Sequence, residues 1–200
     1  MIKITEGLKE RYPGLFLWFP AAFNLLYGVL QLYIAYISHS YWYLTLGLFF
    51  LVQGAIRFLA VDKGKKEIRK TMTEIGLAMV FEAVIIAGMT YLCIEERRYP
   101  IRSMILAIAQ AAYSFSLMGV AVYNLFKSAK KDDPLFYMVK NISFVSAVGS
   151  ILSLQRMMLG TFGGADLNFN RIMEAFSGAG AFLIIVILGC RMIFNAAKFR

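Results

Sequence analysis

Six long apolar windows constrain this chain more than any other feature of its sequence. A helix needs about 20 predominantly apolar residues to cross the hydrocarbon core of a bilayer, and each window reaches that length. The sequence therefore predicts an all-α fold, a polytopic integral membrane bundle of six transmembrane helices that forms a single domain over residues 1–200. The windows run roughly over residues 15–37, 42–61, 75–94, 103–126, 135–159 and 172–195.

The composition supports this architecture and excludes other classes of protein. Hydrophobic residues make up 60% of the 200 residues and charged residues only 16%, whereas soluble domains are about 45–50% apolar and about 25% charged. A soluble globule of this size cannot bury so much apolar surface, and neither a disordered chain nor a disulfide scaffold has this composition. Six spans take up roughly 120 residues, which leaves little chain for a soluble domain.

Basic residues are concentrated in the segments at one end of the predicted helices. They form clusters over residues 57–70 and 127–140 and also occur near both termini, whereas Glu95 and Glu96 partly neutralise the fewer cations at the other end. Because cytoplasmic loops carry an excess of Lys and Arg, we predict cytoplasmic termini in a bacterial type of cytoplasmic membrane. The excess of basic residues on the cytoplasmic side then explains the net charge of +9. We therefore expect the protein to interact with the lipid bilayer rather than with nucleic acid.

The two halves of the chain, residues 1–98 and 99–200, share one spacing. A glycine precedes a glutamine at the same interval in the second and in the fifth window. Three spans per half would relate the halves by inversion, as in many transporters. Apolar helices also match one another by chance, so a 3+3 inverted repeat and a coincidence both stay open. The residues concerned are Gly47 and Gln53 in one half and Gly149 and Gln155 in the other.

Polar and small residues recur at helical spacing in four of the windows, along one face of each predicted helix. Because amides and hydroxyls need partners in hydrocarbon, we expect these faces to point into the bundle. The positions are Asn24, Gly28, Gln31, Ala35 and Ser38 in the first window, Phe50, Gln53 and Arg57 in the second, Ser103, Ala107, Gln110, Ser114, Ala121 and Asn124 in the fourth, and Ser143, Ser146, Ser150 and Ser153 in the fifth.

Two interpretations of these polar faces stay open. Small and polar residues let helices approach closely and hydrogen-bond to one another, for roughly 1 kcal/mol per bond. Alternatively, the faces line a polar cavity or pathway for a solute or an ion. The serine-rich faces suit packing, whereas the long amides in the first and fourth windows favour a cavity.

Glu82 is the most unusual residue in the chain, because it lies about eight residues into the third window, near the expected middle of the membrane. A carboxylate at this depth is costly and marks a functional site by default. We expect Glu82 to couple to protons or to ligate a cation. The alternative is a protonated or paired carboxyl that only ties helices together.

Three further charged residues lie closer to the ends of their windows. Arg57 and Arg156 can extend to the headgroups from such depths, Arg57 on the cytoplasmic side and Arg156 on the outer side. Glu174 begins the sixth window on the outer side, so an Arg156–Glu174 pair is geometrically possible, either as an interfacial ion pair or as an outer gate. Aromatic residues near the window ends fit an interfacial belt, namely Trp18, Tyr41, Trp42, Tyr43 and Tyr99.

The sequence contains no recognisable catalytic or metal-binding constellation. It has no GxSxG elbow, no glycine-rich phosphate loop and no metal-ligand spacing, and its single histidine, His39, falls between two windows. We therefore expect no enzymatic activity, no metal and no cofactor. A membrane enzyme that acts on lipids would need several ionisable residues at one headgroup level.

The leading hypothesis from the sequence is a transporter or channel for a small solute or ion, with Glu82 as its buried ionisable group. The second hypothesis is a non-transporting membrane module, such as a partner subunit, an assembly factor or a lipid-binding protein. A homo-oligomer or a membrane partner subunit is a possible assembly. The candidate residues for a cavity or pathway are Glu82, Asn24, Gln31, Gln53, Arg57, Gln110, Arg156 and Glu174.

Overall fold

The computed structural model describes residues 13–63, 67–95, 134–162 and 167–198, together with positions 108, 111–112, 114–116, 118–119 and 121. Helix is the only regular secondary structure in these residues. The helices are α1 (Pro13–Ser38), α2 (Tyr41–Lys63), α3 (Ile68–Glu95), α4, whose described positions lie between 108 and 121, α5 (Pro134–Phe162) and α6 (Leu167–Ala196).

Five of these helices, α1, α2, α3, α5 and α6, are long and apolar enough to cross a membrane. Their length and composition indicate an integral membrane protein. The fourth predicted window, 103–126, is described only at the positions given above, which are helical. The remainder of that window lies outside the described residues.

Two helices begin earlier than their apolar windows predict. Helix α3 begins at Ile68 rather than at residue 75, and α6 begins at Leu167 rather than at residue 172. A window measures only the stretch that suits hydrocarbon, whereas backbone hydrogen bonds continue through polar residues; the Thr71 amide, for example, donates to the Glu67 carbonyl over 2.9 Å. Residues 168–170, which precede the sixth apolar window, therefore belong to the first turn of α6.

Helices α1 and α2 form an antiparallel hairpin with one of the two most extensive helix contacts in the described bundle. They are joined by a short turn at His39, whose φ is 48°. Glycines let the two backbones approach closely, since a Cβ on Gly47 would lie 3.0 Å from the Gly28 carbonyl oxygen and 2.8 Å from Leu32 Cδ2. The glycines of these two windows thus serve helix packing.

Helices α3 and α6 form the other extensive contact, also antiparallel. At their crossing, a Cβ on Gly76 would lie 2.9 Å from the Gly189 carbonyl oxygen, and a Cβ on Gly189 would lie 2.9 Å from the Gly76 carbonyl oxygen. Because each glycine faces the backbone of the other, no larger residue fits at either position without moving a helix.

Helix α5 packs against α2, α3 and α6, and α2 also contacts α3, so that α2, α3 and α5 surround the centre of the bundle. Gly149 of α5 makes room for Phe49 of α2, whose ring occupies the place that a Cβ at residue 149 would need. We call the end of the bundle that holds the α1–α2 turn, the last turns of α3 and α5 and the first turns of α6 the turn end.

The described surface is apolar and the interior is partly polar, as expected for helices surrounded by lipid. Large side chains such as Tyr36 and Phe176 are 78% and 76% exposed. The predicted inward orientation of the polar faces is confirmed for most positions of the first, second and fifth windows, whose buried polar members are Asn24, Gln31, Gln53, Arg57, Ser143, Ser146, Ser150 and Ser153. Ser38 is exposed and donates to the Ile34 carbonyl of its own helix over 2.7 Å. The predicted sidedness and the inverted repeat stay predictions.

Replacing Gly149 by alanine should destabilise the bundle, because the new methyl group would overlap the Phe49 ring. Overpacking of this kind costs about 1–3 kcal/mol, so we expect a lower midpoint in thermal unfolding followed in detergent. The double variant Gly149→Ala/Phe49→Leu should recover part of the loss. Gly88→Ala is the matched control, since nothing lies within 4 Å of a Cβ there; an equal loss in both single variants would contradict the account.

Candidate functional site

Four polar side chains from four helices meet near the middle of the bundle. Asn24 of α1, Gln53 of α2, Glu82 of α3 and Ser146 of α5 each lie within about two residues of the midpoint of their helix, or roughly 3 Å along its axis. All four are buried. Together with Arg57, one turn beyond Gln53, they form what we call the central junction.

Ser146 is the residue through which the central junction is connected. Its hydroxyl donates to Gln53 Oε1 over 2.7 Å and accepts from Arg57 Nη2 over 3.2 Å and from Asn24 Nδ2 over 3.4 Å. One hydroxyl thus links α5 to both α1 and α2. Small size suits this role, because a longer side chain could not lie between three partners at these distances.

Gln53 extends the network to Glu82. Its Nε2 donates to Glu82 Oε2 over 2.9 Å, while its Oε1 accepts from Ser146. The hydrogen bonds therefore run in one direction, from the Arg57 guanidinium through the Ser146 hydroxyl and the Gln53 amide to the Glu82 carboxyl. Such a chain polarises each of its members in the same sense, and it connects a cation to a carboxyl through two intervening side chains.

Glu82 is 0% exposed, and its two oxygens differ. Oε2 accepts from Gln53, whereas Oε1 has no hydrogen-bond partner among the described residues. Arg57 acts on this carboxyl electrostatically. A proton can therefore join Glu82 at Oε1 without breaking the bond to Gln53.

Arg57 departs from the predicted orientation toward the headgroups. Its side chain is buried and donates to Ser146 at the level of the central junction. The Ser146 hydroxyl supplies a hydrogen-bond acceptor for the guanidinium inside the bundle, and the Glu82 carboxyl interacts with it electrostatically. Glu82 and Arg57 are thus close neighbours, a relation that the spacing of the sequence did not predict.

A second charged layer lies toward the turn end. Arg156 Nη1 donates to Glu174 Oε1 over 2.7 Å, with both side chains almost fully buried. The Arg156 Cζ also lies over the Trp42 ring, 5.0 Å from its centroid. The ion pair that the sequence made possible is therefore present, and both of its side chains are buried between helices.

The predicted aromatic belt is wrong for two of its members. Trp42 and Tyr43 are buried in the core, whereas Tyr41 is exposed. Residues 42 and 43 lie in the first turn of α2, and the rotation of that helix directs their side chains toward α5 and α3 rather than outward. The sequence interpretation assigned no binding role to Trp42, although this residue belongs to the second layer. Its position at the end of a window did not indicate such a role.

A small cavity adjoins the second layer, and we call it the turn-end crevice. Its volume is about 20 Å³, room for about one water molecule. It is lined by the ion pair and the Trp42 ring, by the polar side chains Thr90, Gln155 and Ser177, and by Met89 and Leu152.

The remaining candidates have different placements. Gln31 is buried on the same face of α1 as Asn24, and its Oε1 has no hydrogen-bond partner among the described residues. Gln110 lies outside the described residues. On the same predicted helix face as Gln110, Ser114 is buried and donates to the Ser150 carbonyl of α5 over 2.9 Å.

No group of three or more His, Cys, Asp or Glu that could hold a metal occurs in the part of the chain that the structure describes.

Comparison of the chain with models of protein families, with curated proteins and with solved structures found no match. The helices and the two buried charged layers indicate the class, an integral membrane protein with ionisable groups inside its helical bundle.

Replacing Ser146 by alanine should weaken the central junction more than any local change on the same helix face. The variant leaves partners on α1 and α2 without their shared hydroxyl, and a buried polar group without a partner costs about 1–3 kcal/mol. Ser143→Ala is the matched control, because the Ser143 hydroxyl donates only to the Val139 carbonyl of its own helix, over 2.8 Å. We expect a clear drop in the unfolding midpoint for Ser146→Ala and a small one for Ser143→Ala; similar drops would argue against Ser146 as the connecting residue.

Proposed function

We propose that this protein is a transporter for a small solute or ion, with a polar path through the central junction. The observation that carries the proposal is the pair of buried ionisable side chains, Glu82 and Arg57, near the middle of the bundle. Ionisable side chains at this depth are costly, and they mark the paths of ions, protons and substrates in membrane proteins.

The path would contain two charged layers along the bundle axis. On α2, Trp42 and Gln53 mark the two levels, and their separation of eleven positions corresponds to roughly 16 Å. Glu82 would take up and release the proton that drives transport, and the neutral amides of Asn24, Gln31 and Gln53, with Gln110, would hydrogen-bond to the cargo. The Arg156–Glu174 pair would act as the gate at the turn end.

The contacts between the two halves suggest how such a path would open. Within the described central junction, Ser146 is the member from the second half of the chain, so separating α5 from α2 breaks its bonds to Gln53 and Arg57. The α3–α6 contact also joins the halves, but it is extensive and glycine-lined. We propose that α3 and α6 act as the hinge while α2 and α5 separate.

The second candidate function is a non-transporting membrane module, and one observation favours it. Glu82, Gln53 and Ser146 are each 0% exposed and bonded to one another, as expected for a junction that only holds helices together. In that case the charges serve stability alone. Buried charged residues can often be replaced by apolar residues of similar volume without loss of stability. The double variant Arg57→Met/Glu82→Met would then keep the fold and stability of the native protein.

The transport proposal predicts solute-dependent proton movement in proteoliposomes. Vesicles with the full chain and a trapped pH dye would receive a panel of small cations, amines, amino acids and carboxylates under an imposed pH gradient. We expect at least one solute to change the luminal pH faster than in protein-free vesicles. Glu82→Gln should lower that rate to the protein-free level, because an amide cannot carry the proton.

Glu95→Gln is the matched control for this experiment, since Glu95 lies on the same helix and is exposed. It should transport at the wild-type rate. A wild-type rate in Glu82→Gln would show that Glu82 has no coupling role, and the absence of any solute response in the wild type would favour the module.

A further inference from the structure

The turn-end crevice has a chemical character that the proposed gate does not require. Three of its lining side chains donate hydrogen bonds within the protein. Thr90 donates to the Ile86 carbonyl over 2.8 Å, Ser177 donates to the Met173 carbonyl over 2.7 Å, and Gln155 Nε2 donates to the same Met173 carbonyl over 3.1 Å. A hydroxyl that has donated its hydrogen can only accept from a ligand, so the Thr90 and Ser177 oxygens are acceptors. Gln155 Oε1 is an acceptor as well, and Gln155 Nε2 keeps one further hydrogen.

The other lining groups add a carboxylate and an aromatic face. Glu174 supplies the carboxylate, and the Trp42 ring supplies a surface that attracts cations. The guanidinium of Arg156 already lies in this environment, 2.7 Å from Glu174 Oε1 and 5.0 Å from the centre of the Trp42 ring. The guanidinium of Arg156 thus lies between a carboxylate and an aromatic face, in the position that a bound organic cation would take.

We propose that the turn-end crevice is a binding site for a small organic cation with a guanidinium or ammonium head, and that Arg156 occupies it as a tethered competitor. The role of the site as the first contact of a cargo rests on the proposed transport, whereas the binding itself does not. A single carboxylate beside an aromatic face suits a weakly hydrated organic cation better than a metal ion, which requires several oxygen ligands.

The size of the crevice makes the ligand and Arg156 mutually exclusive. A volume of about 20 Å³ holds about one water molecule, so a guanidinium head fits only where the Arg156 head withdraws. Removing Arg156 should therefore strengthen binding, and neutralising Glu174 should weaken it. A purely structural ion pair predicts no binding to the native chain at all.

Trp42 provides a direct signal for this test. The chain has two tryptophans, and Trp18 packs edge-on against Phe58, with ring centroids 4.6 Å apart. The Trp18→Phe protein thus reports on Trp42 alone. Its emission would be titrated in detergent with methylguanidinium chloride, with sodium chloride keeping the ionic strength constant.

We expect a saturable change in Trp42 emission in the Trp18→Phe protein, and none with sodium chloride alone. Arg156→Met should lower the Kd for methylguanidinium about tenfold, and Glu174→Gln should raise it at least about tenfold, as for one charged contact. Thr90→Val should raise the Kd about threefold to tenfold, through the loss of one acceptor. Glu95→Gln, on the same helix as Thr90, should leave it unchanged.

Thr90→Val keeps the proposal testable where the charge variants fail to fold, because it leaves the ion pair in place. The proposal is overturned if the Trp18→Phe protein shows no saturable response, or if Thr90→Val binds methylguanidinium as tightly as its parent. Because the titration needs no transport, binding without solute movement in vesicles would retain the site and reject the transporter, whereas transport without binding would reject the site alone.

Discussion

Polar groups inside hydrocarbon require hydrogen-bond partners, and this requirement determines how the helices of the bundle are arranged. Ser146 is the residue that supplies the shared partner. Asn24, Gln53 and Arg57 come from two neighbouring helices, and none of them can reach water from the bundle centre. One small hydroxyl on α5 bonds to all three, and through Gln53 it is connected to Glu82 on α3. Four helices are thereby held in register by directional bonds, which apolar packing alone does not specify.

The interfaces between the two halves of the chain differ in kind. The α3–α6 contact is extensive and relies on Gly76 and Gly189, where backbones touch and no side chain can adjust. The α2–α5 contact is smaller and combines the Phe49–Gly149 fit with hydrogen bonds to Ser146. Hydrogen bonds can be exchanged for bonds to a cargo or to water, whereas a close backbone contact cannot. This difference is the physical basis for placing a hinge at α3–α6 and an opening at α2–α5.

Much of the fold follows from the sequence, because span length and helical periodicity are local properties. The apolar windows located α1, α2, α3, α5 and α6, and the periodic polar faces indicated which residues are buried. The site was only partly predictable. Glu82 is conspicuous by its depth alone, but its link to Arg57 depends on how α2, α3 and α5 are rotated about their axes, which no single helix encodes. For the same reason Trp42 was assigned to the membrane interface, although α5 and α6 bring Arg156 and Glu174 beside it.

The central claim is that the buried polar centre opens during a working cycle, and the accessibility of residue 150 tests it most directly. Ser150 is buried one turn from Ser146, and its hydroxyl has no partner among the described residues, so cysteine should be tolerated there. In a chain without Cys93 and Cys190, Ser150→Cys would be exposed in lipid vesicles to a charged, membrane-impermeant thiol reagent. The account predicts that this cysteine is modified in the folded protein while Val84→Cys, which faces lipid, is not. A residue 150 cysteine that reacts only after unfolding would contradict it.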